Sequence, residues 1–324
     1  MRIQTFIPYA FCVGAVAFAV GGCGGVQQPG QSAYAPQTHR ISPPQSSKAM
    51  QGDLLYVPGG CESTCILSYP SGKLVGSTTG LGTFGACGDG KGNVFIADGA
   101  AIDEYTHGGT TPINTFALPG RAYSCGVDPQ SGNLAVAYVD LSSGNSGVAV
   151  FPNAQEPPSY YAASILAVYC GYDNNGNLFV TGEGEHGDPA MAELAKGSQS
   201  LSAVSVSPSP NGFAGQVQWD GKQLTLEVLG VKKGVLLERL KVSGSTATVV
   251  GVTKFKGVTR TAEASWIQGN LIFIPYGVFG EGPYANKIGV WKYPRGGKLV
   301  AKFKPSGGRN TTLTGVGYSP ASHS

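Results

Sequence analysis

Short apolar runs alternate with turns rich in Gly, Asn and Asp along most of this chain. Segments that begin at Cys87, Cys125 and Cys170 share one pattern: a strand ending in Asp, a turn ending in Gly-Asn, and a second apolar strand. Weaker copies of this pattern begin at Trp219 and Trp266. Short apolar runs bounded by such turn residues predict β-strands rather than amphipathic helices.

The pattern recurs at a nearly constant period. Second strands begin near six apolar residues, which are Leu54, Val94, Leu134, Leu178, Leu224 and Leu271. Their spacings are 40, 40, 44, 46 and 47 residues. One small sheet cannot bury both of its faces alone, so this period predicts blades packed around a ring. The expected fold is an all-β, six-bladed β-propeller of four-stranded antiparallel blades, covering residues 51–320.

The two ends of the predicted domain complement each other. The first repeat lacks an innermost strand, because the chain enters it at Gly52-Asp53-Leu54. A suitable strand follows the sixth repeat at Thr314 to Tyr318. The ring is therefore expected to close by pairing of this C-terminal strand with the N-terminal blade, which protects both sheet edges.

The repeats resemble those of the NHL-repeat group of propellers. The shared features are Gly-Val-Asp followed by Gly-Asn-Leu at 126–134, Ile-Ala-Asp at 96–98, and third strands that end in Tyr or Phe. The resemblance spans residues 52–320. It implies a propeller fold and leaves the function open, because that superfamily includes binding modules, lactonases and lyases.

The first fifty residues predict export. A basic start, a short apolar stretch and Gly21-Gly22-Cys23 are typical of a signal peptide over residues 1–22 and resemble the bacterial lipobox, which implies that Cys23 is lipidated. Residues 23–50 are rich in Gln, Pro and Ser, which favours a disordered tether, and residues 321–324 form a tail. The expected location is the bacterial cell envelope, on the periplasmic or cell-surface side.

Charge adds little to this interpretation. Only 13% of the residues are charged, the formal net charge is +3, and no run of Lys and Arg is interleaved with aromatic residues. These features argue against a nucleic-acid partner, and the chain is expected to be a monomer.

Loops on the two faces of the predicted disc differ. The Asp-containing first-to-second turns and the third-to-fourth turns are short and uniform, and their Asp89, Asp128 and Asp173 side chains are expected to stabilise the turns. The second-to-third loops on the opposite face vary in length and chemistry. Functional groups collect on variable loops carried by a rigid scaffold, so a site is expected on that opposite face.

One variable loop carries Glu183, Glu185, His186 and Asp188. These side chains could ligate a divalent cation such as calcium or supply a general base at the channel mouth, although their spacing fits no EF-hand. A solvated acidic loop is the alternative. A second loop offers Tyr276, Phe279 and Tyr284, which could stack on a sugar or a peptide or fold inward into the channel.

Five of the seven cysteines remain after the predicted cleavage and lipidation: Cys61, Cys65, Cys87, Cys125 and Cys170. In an oxidising compartment disulfides are expected, and an odd number leaves at least one thiol unpaired. Cys61 could pair with Cys65 across a loop. Cys125 and Cys170 hold the same register on adjacent inner strands and could bridge two blades, whereas Cys87 is expected to point to the other side of its strand. A thiol metal site is the alternative.

Two functional hypotheses follow. The first is a non-enzymatic, membrane-anchored module that binds a protein, peptide or carbohydrate through its variable loops. The second is a metal-dependent, lactonase-like hydrolase or lyase centred near Glu185 and Asp188. The scarcity of histidine and the lack of a nucleophile elbow or a His-Glu-x-x-His motif favour the first.

Overall fold

The computed structural model describes residues 51–61, 63–80, 84–231, 234–258, 264–277, 285–305 and 312–321. The predicted signal peptide, Cys23 and the tether lie outside the described residues. No helix among the described residues has the length and apolar character needed to cross a membrane.

Short strands dominate the described chain, with one 3-10 helix at Pro152–Ala154. Strands of the first half, in chain order, are β1 (Leu54–Gly60), β2 (Ser63–Ser68), β3 (Leu74–Ser77), β4 (Ala86–Gly88), β5 (Val94–Asp98), β6 (Ala101–Tyr105), β7 (Asn114–Ala117), β8 (Arg121–Val127), β9 (Leu134–Val139), β10 (Ser146–Phe151) and β11 (Ser159–Ala163). Strands of the second half are β12 (Leu166–Tyr172), β13 (Leu178–Glu183), β14 (Pro189–Leu194), β15 (Ser202–Ser207), β16 (Phe213–Trp219), β17 (Leu224–Val231), β18 (Gly234–Ser243), β19 (Thr246–Lys254), β20 (Trp266–Gln268), β21 (Leu271–Tyr276), β22 (Lys287–Lys292), β23 (Leu299–Phe303) and β24 (Gly317–Ser319).

These strands form six four-stranded antiparallel units, numbered here as blades one to six. Blade one has the order β24-β1-β2-β3, and blades two, three and six consist of β4–β7, β8–β11 and β20–β23. Blades four (β12–β15) and five (β16–β19) form one eight-stranded sheet, because their outer strands β15 and β19 pair in parallel. The predicted closure is confirmed, since β24 pairs antiparallel with β1 through Leu55 and Tyr318.

Apolar side chains fill the spaces between neighbouring blades. The described residues contain six buried apolar clusters, and each cluster joins two adjacent blades. Phe273 of blade six, for example, packs in the same cluster as Leu55 of blade one. Six clusters for six blade-to-blade contacts complete the ring, so the predicted β-propeller class is confirmed.

In blades two to six, short turns link the first and second strands and define the turn face of the disc. Asp89 accepts hydrogen bonds from the backbone N–H groups of Lys91 and Asn93 at 2.7 and 3.0 Å. Asp173 accepts from the N–H groups of Asn175 and Asn177 in the same way. These carboxylates are therefore structural, as predicted. The opposite face, which carries the second-to-third loops, is called the loop face.

Two disulfides join described residues. Cys61 is bonded to Cys65, with a Cα–Cα distance of 5.2 Å, and Cys87 is bonded to Cys125 at 5.7 Å. Cys170 is a free, fully buried thiol.

The expected bridge between Cys125 and Cys170 was wrong, for a reason that follows from register. Both residues pair with the third residue of their second strands, Val136 and Val180, so both side chains point toward the preceding blade. The Cys170 Sγ accordingly lies 3.5 Å from the Ala135 carbonyl oxygen of blade three. Cys87 is one position out of this register, points toward the following blade, and therefore meets Cys125.

Candidate functional site

Inner strands of five blades surround a cavity of about 400 Å³ at the centre of the ring. Its lining includes the turn residues Asp89, Gly90, Asp220 and Gly221, which place its mouth on the turn face. We call this cavity the channel cup. Its walls are mainly apolar and backbone atoms, and two partly exposed indoles contribute to them.

The two indoles come from different blades. Trp266, the first residue of β20, packs against the cluster between blades six and one and also against the cluster between blades two and three. Its ring therefore reaches across the channel. Trp219, the last residue of β16, packs on the cluster between blades four and five. A third tryptophan, Trp291, is fully buried elsewhere.

Gln216 lies deeper in the cup and connects three blades. Its side-chain Oε1 accepts a hydrogen bond from the Ser124 hydroxyl at 2.8 Å, and its Nε2 donates to the Cys170 carbonyl at 3.0 Å and to the Val217 carbonyl at 3.1 Å. Gln216 is 7% exposed and Ser124 2%. A buried amide with all of these partners resists displacement, so Gln216 forms a fixed bottom of the cup.

Small residues let the inner strands converge around the cup. A Cβ built on Gly126 would lie 2.9 Å from the Gly171 Cα, and a Cβ on Gly171 would clash with the Val217 carbonyl oxygen. The Cys-Gly pair that recurs in the repeats is thereby explained: its glycine sits where neighbouring inner strands touch.

Polar groups at the mouth have structural partners. Asp220 accepts hydrogen bonds from the N–H groups of Lys222 and Gln223 and from the Tyr293 hydroxyl. Gln218 donates to the Ser265 carbonyl at 2.8 Å and accepts from the Ile267 N–H at 2.9 Å. The cup therefore offers aromatic surface on a rigid frame, a chemistry suited to binding rather than to proton transfer.

Tyr172 adds one unusual polar group to the lining. It is 7% exposed, and its hydroxyl has no hydrogen-bond partner among the described residues. Burial, together with the nearby Cys170 and Asp128, raises the pKa of this phenol above its ordinary value.

Trp219 also borders a second cavity of about 440 Å³. This cavity lies between the turns of blades four and five and is lined by Asn174, Lys222 and Lys241 among others. The cup and this groove share Trp219 as a common wall, so both open on the turn face.

The structure places the predicted metal-binding loop on the loop face. Glu183 ends β13, and Glu185, His186 and Asp188 are exposed in the turn that follows. No three His, Cys, Asp or Glu side chains in the described part of the chain form a group that could hold a metal ion. Glu183 and Glu185 instead border an open cavity of about 350 Å³ between blades three and four. A metal site in this loop stays a prediction.

The predicted aromatic loop divides in two. Tyr276 is 4% exposed and packs edge-on against Trp291, with ring centroids 5.5 Å apart. Because Ile272, Ile274 and Tyr276 alternate along β21, all three side chains enter the core between blades five and six. Tyr276 is therefore a core residue rather than an open ligand contact. Phe279 and Tyr284 lie outside the described residues.

Comparison with known proteins bears on the fold alone. No protein-family model and no curated protein matches the sequence. Among solved structures, a chain from a nidogen/laminin complex aligns with a TM-score of 0.61 at 13% identity, covering 83% of this chain and 99% of that one. A protein of unknown function from Bacteroides caccae gives 0.59 at 13% identity, with the same coverage. TolB from Acinetobacter baumannii gives 0.56 at 10% identity, covering 84% and 67%. These similarities support the β-propeller assignment.

Proposed function

We propose that this chain is an exported β-propeller that binds an apolar or aromatic side chain of a protein or peptide partner in the channel cup. The observation that carries the proposal is the pair of partly exposed indoles, Trp219 and Trp266, in a rigid, mainly apolar cavity. Tryptophan is among the residues most often responsible for binding energy at protein interfaces. Apolar pockets of this size with a few fixed polar groups are typical of binding sites.

Export and anchoring form the second part of the proposal. The two disulfides in the described residues are consistent with an oxidising compartment, where such bonds persist. Together with the lipobox-like Gly21-Gly22-Cys23, they favour an envelope protein tethered through Cys23. Mass spectrometry of the protein from its native membrane would detect a diacylated Cys23, and Cys23→Ser would release the domain from the membrane. Membrane retention of Cys23→Ser would count against the anchor.

The NHL-repeat resemblance belongs to the same proposal. The Asp-to-Asn turns that carry it serve the fold, since their carboxylates bind backbone N–H groups. The resemblance therefore points to architecture and selects no substrate.

Tryptophan fluorescence provides the test of the cup. Trp291 is fully buried, so an added quencher reports mainly on Trp219 and Trp266. We expect p-cresol, an analogue of the tyrosine side chain, to change this emission as it binds, with a Kd of about 1 mM. This Kd corresponds to a binding free energy of about 0.5 kcal/mol per heavy atom of the ligand. Trp266→Leu should weaken p-cresol binding measured by ligand-observed NMR at least tenfold, while Glu185→Ala/Asp188→Ala should leave it unchanged.

Gly269→Asn supplies a variant that keeps the indoles. Gly269 lines the cup at φ +57°, a conformation that Asn tolerates, and a Cβ there meets no atom within 4 Å. The new side chain should occupy the mouth and block p-cresol. Unchanged p-cresol binding in both Trp266→Leu and Gly269→Asn would refute the cup as the site.

A further inference from the structure

Formal charge is divided unevenly between the blades, although the basic residues look scattered along the sequence. Residues 121–207, which contain blades three and four, have eight Asp and Glu against two Lys and Arg, a formal net charge of −6. Residues 208–310, which contain blades five and six, have 15 Lys and Arg against five Asp and Glu, a formal net charge of +10. The whole-chain value of +3 therefore hides an acidic side and a basic side of the ring.

Many of the basic side chains are exposed on the outer strands of blades five and six. They lie at the end of β19 and in and around β23: Lys254, Lys256, Arg295, Lys298, Lys302 and Lys304. Within the described residues none of these six has an ion-pair partner. Unpaired cations on one side of a molecule produce a positive potential that extends into solvent.

Backbone hydrogen bonds make the two strands neighbours. The Gly297 N–H donates to the Lys254 carbonyl at 2.9 Å, and the Lys256 N–H donates to the Gly297 carbonyl at 2.8 Å. Gly297 lies between Arg295 and Lys298, just before β23. The end of β19 is thus fixed against the turn that leads into the outer strand of blade six, which brings Lys254 and Lys256 next to Arg295 and Lys298, and Lys302 and Lys304 follow on the same outer strand.

The same two strands expose aliphatic side chains. Val250 and Val252 of β19 are 47% and 44% exposed, and Leu299 and Val300 of β23 are 38% and 54% exposed. We call residues 250–256 and 295–304 together the basic rim patch. The two valines of β19 precede the bridge between Phe255 and Gly297, and Leu299 and Val300 follow it, so exposed aliphatic side chains lie on both sides of the basic junction.

We propose that the basic rim patch docks on an anionic lipid bilayer. Clustered Lys and Arg are attracted to anionic headgroups, and aliphatic side chains gain by entering the boundary between headgroups and acyl chains. A nucleic acid would use the cations but gives aliphatic side chains little to contact, so the combination favours lipid. None of the residues of the patch lines the channel cup. The proposal rests on neither the cup nor the anchor.

Vesicle co-sedimentation tests this docking with the full-length chain carrying Cys23→Ser, so that no acyl chain contributes. We expect binding to vesicles containing phosphatidylglycerol, no binding to pure phosphatidylcholine, and loss of binding at high salt. Each lysine near an anionic surface raises the partition coefficient onto vesicles about fivefold. The triple variant Lys254→Glu/Lys298→Glu/Lys302→Glu should therefore lower this coefficient by at least about a hundredfold. Val252→Thr/Val300→Thr should lower it while keeping the lipid selectivity.

The matched control reverses two exposed lysines on blades two and four, Lys91→Glu/Lys196→Glu, and is compared with the patch variant Lys254→Glu/Lys298→Glu, which has the same change in net charge. This control should bind vesicles within about threefold of the parent, because surface charges outside a Debye length contribute little. Three results would overturn the proposal. In the first, the parent shows no selective binding to anionic vesicles, and in the second, the control loses as much vesicle binding as the patch variant. In the third, the parent self-associates in ultracentrifugation and the patch variant loses this self-association while its vesicle binding is unchanged.

Discussion

The hydrogen bond between Ser124 and Gln216 tests whether the bottom of the channel cup is a fixed part of the fold. Gln216→Met keeps much of the side-chain volume but removes three hydrogen bonds and leaves the Ser124 hydroxyl buried without its partner. Stranding the buried Ser124 hydroxyl costs about 1–3 kcal/mol, and the two lost bonds to carbonyl oxygens, at about 0.5 kcal/mol each, add about 1 kcal/mol. We therefore expect Gln216→Met to lower the free energy of unfolding by about 3 kcal/mol, or the Tm by about 6–12 °C.

A double-mutant cycle separates this bond from general packing. Ser124→Ala alone strands the Gln216 Oε1 and should cost about 1–2 kcal/mol. In Ser124→Ala/Gln216→Met both partners of the 2.8 Å bond are gone, so the double variant should be at least 1 kcal/mol more stable than the two single effects predict. Urea unfolding of the four proteins, with unchanged m values, measures the difference.

Additive effects would refute this reasoning. They would mean that Ser124 and Gln216 do not depend on each other, and that the bottom of the cup is held by backbone packing alone.

Three further predictions use the same kind of measurement. A disulfide that closes a longer loop removes more conformational entropy from the unfolded chain, and Cys87–Cys125 spans 38 residues whereas Cys61–Cys65 spans 4. In urea unfolding, replacing the first pair by Ala should therefore cost about 4 kcal/mol and replacing the second about 2 kcal/mol. Equal costs would contradict this argument. Burial raises the pKa of Cys170 from 9.0 to about 12 and that of Tyr105 from 10.0 to about 12. The native state then holds more protons than the unfolded chain between these values, so stability should fall as pH rises from 9 to 12, less steeply in Cys170→Ala; a flat profile would refute this. If the predicted metal site at Glu183, Glu185, His186 and Asp188 exists, millimolar calcium should raise the Tm and Asp188→Ala should abolish the rise; an unchanged Tm would count against the site.

Sequence periodicity predicted the architecture because a propeller repeats one local pattern. The six second-strand positions from Leu54 to Leu271 all begin strands or lie within one position of a strand start, and Tyr318 lies in the closing strand. The turn function of Asp89 and Asp173 was also predictable, because an Asx turn is a local interaction.

Features that depend on contacts between blades were not predictable in the same way. Cys87 and Cys125 pair because one register position reverses the direction of a side chain, which a repeat alignment does not reveal. Trp219 and Trp266 marked the last repeats, but only the convergence of inner strands places both at one cavity on the turn face. The expectation of a site on the loop face came from the variation of its loops and stays a prediction, whereas the proposed site is formed by indoles that lie on strands.

The claim that the turn face of the channel is the binding site is tested most directly with peptides selected from a random displayed library on the parent domain. The Kd of each selected peptide would be measured on the parent, on Gly269→Asn, and on Glu185→Ala/Asp188→Ala, which alter the turn face and the loop face respectively. We expect most peptides to bind Gly269→Asn at least tenfold more weakly and the loop-face variant unchanged. Peptides that ignore Gly269→Asn and lose affinity for the loop-face variant would contradict the account and move the site to the opposite face.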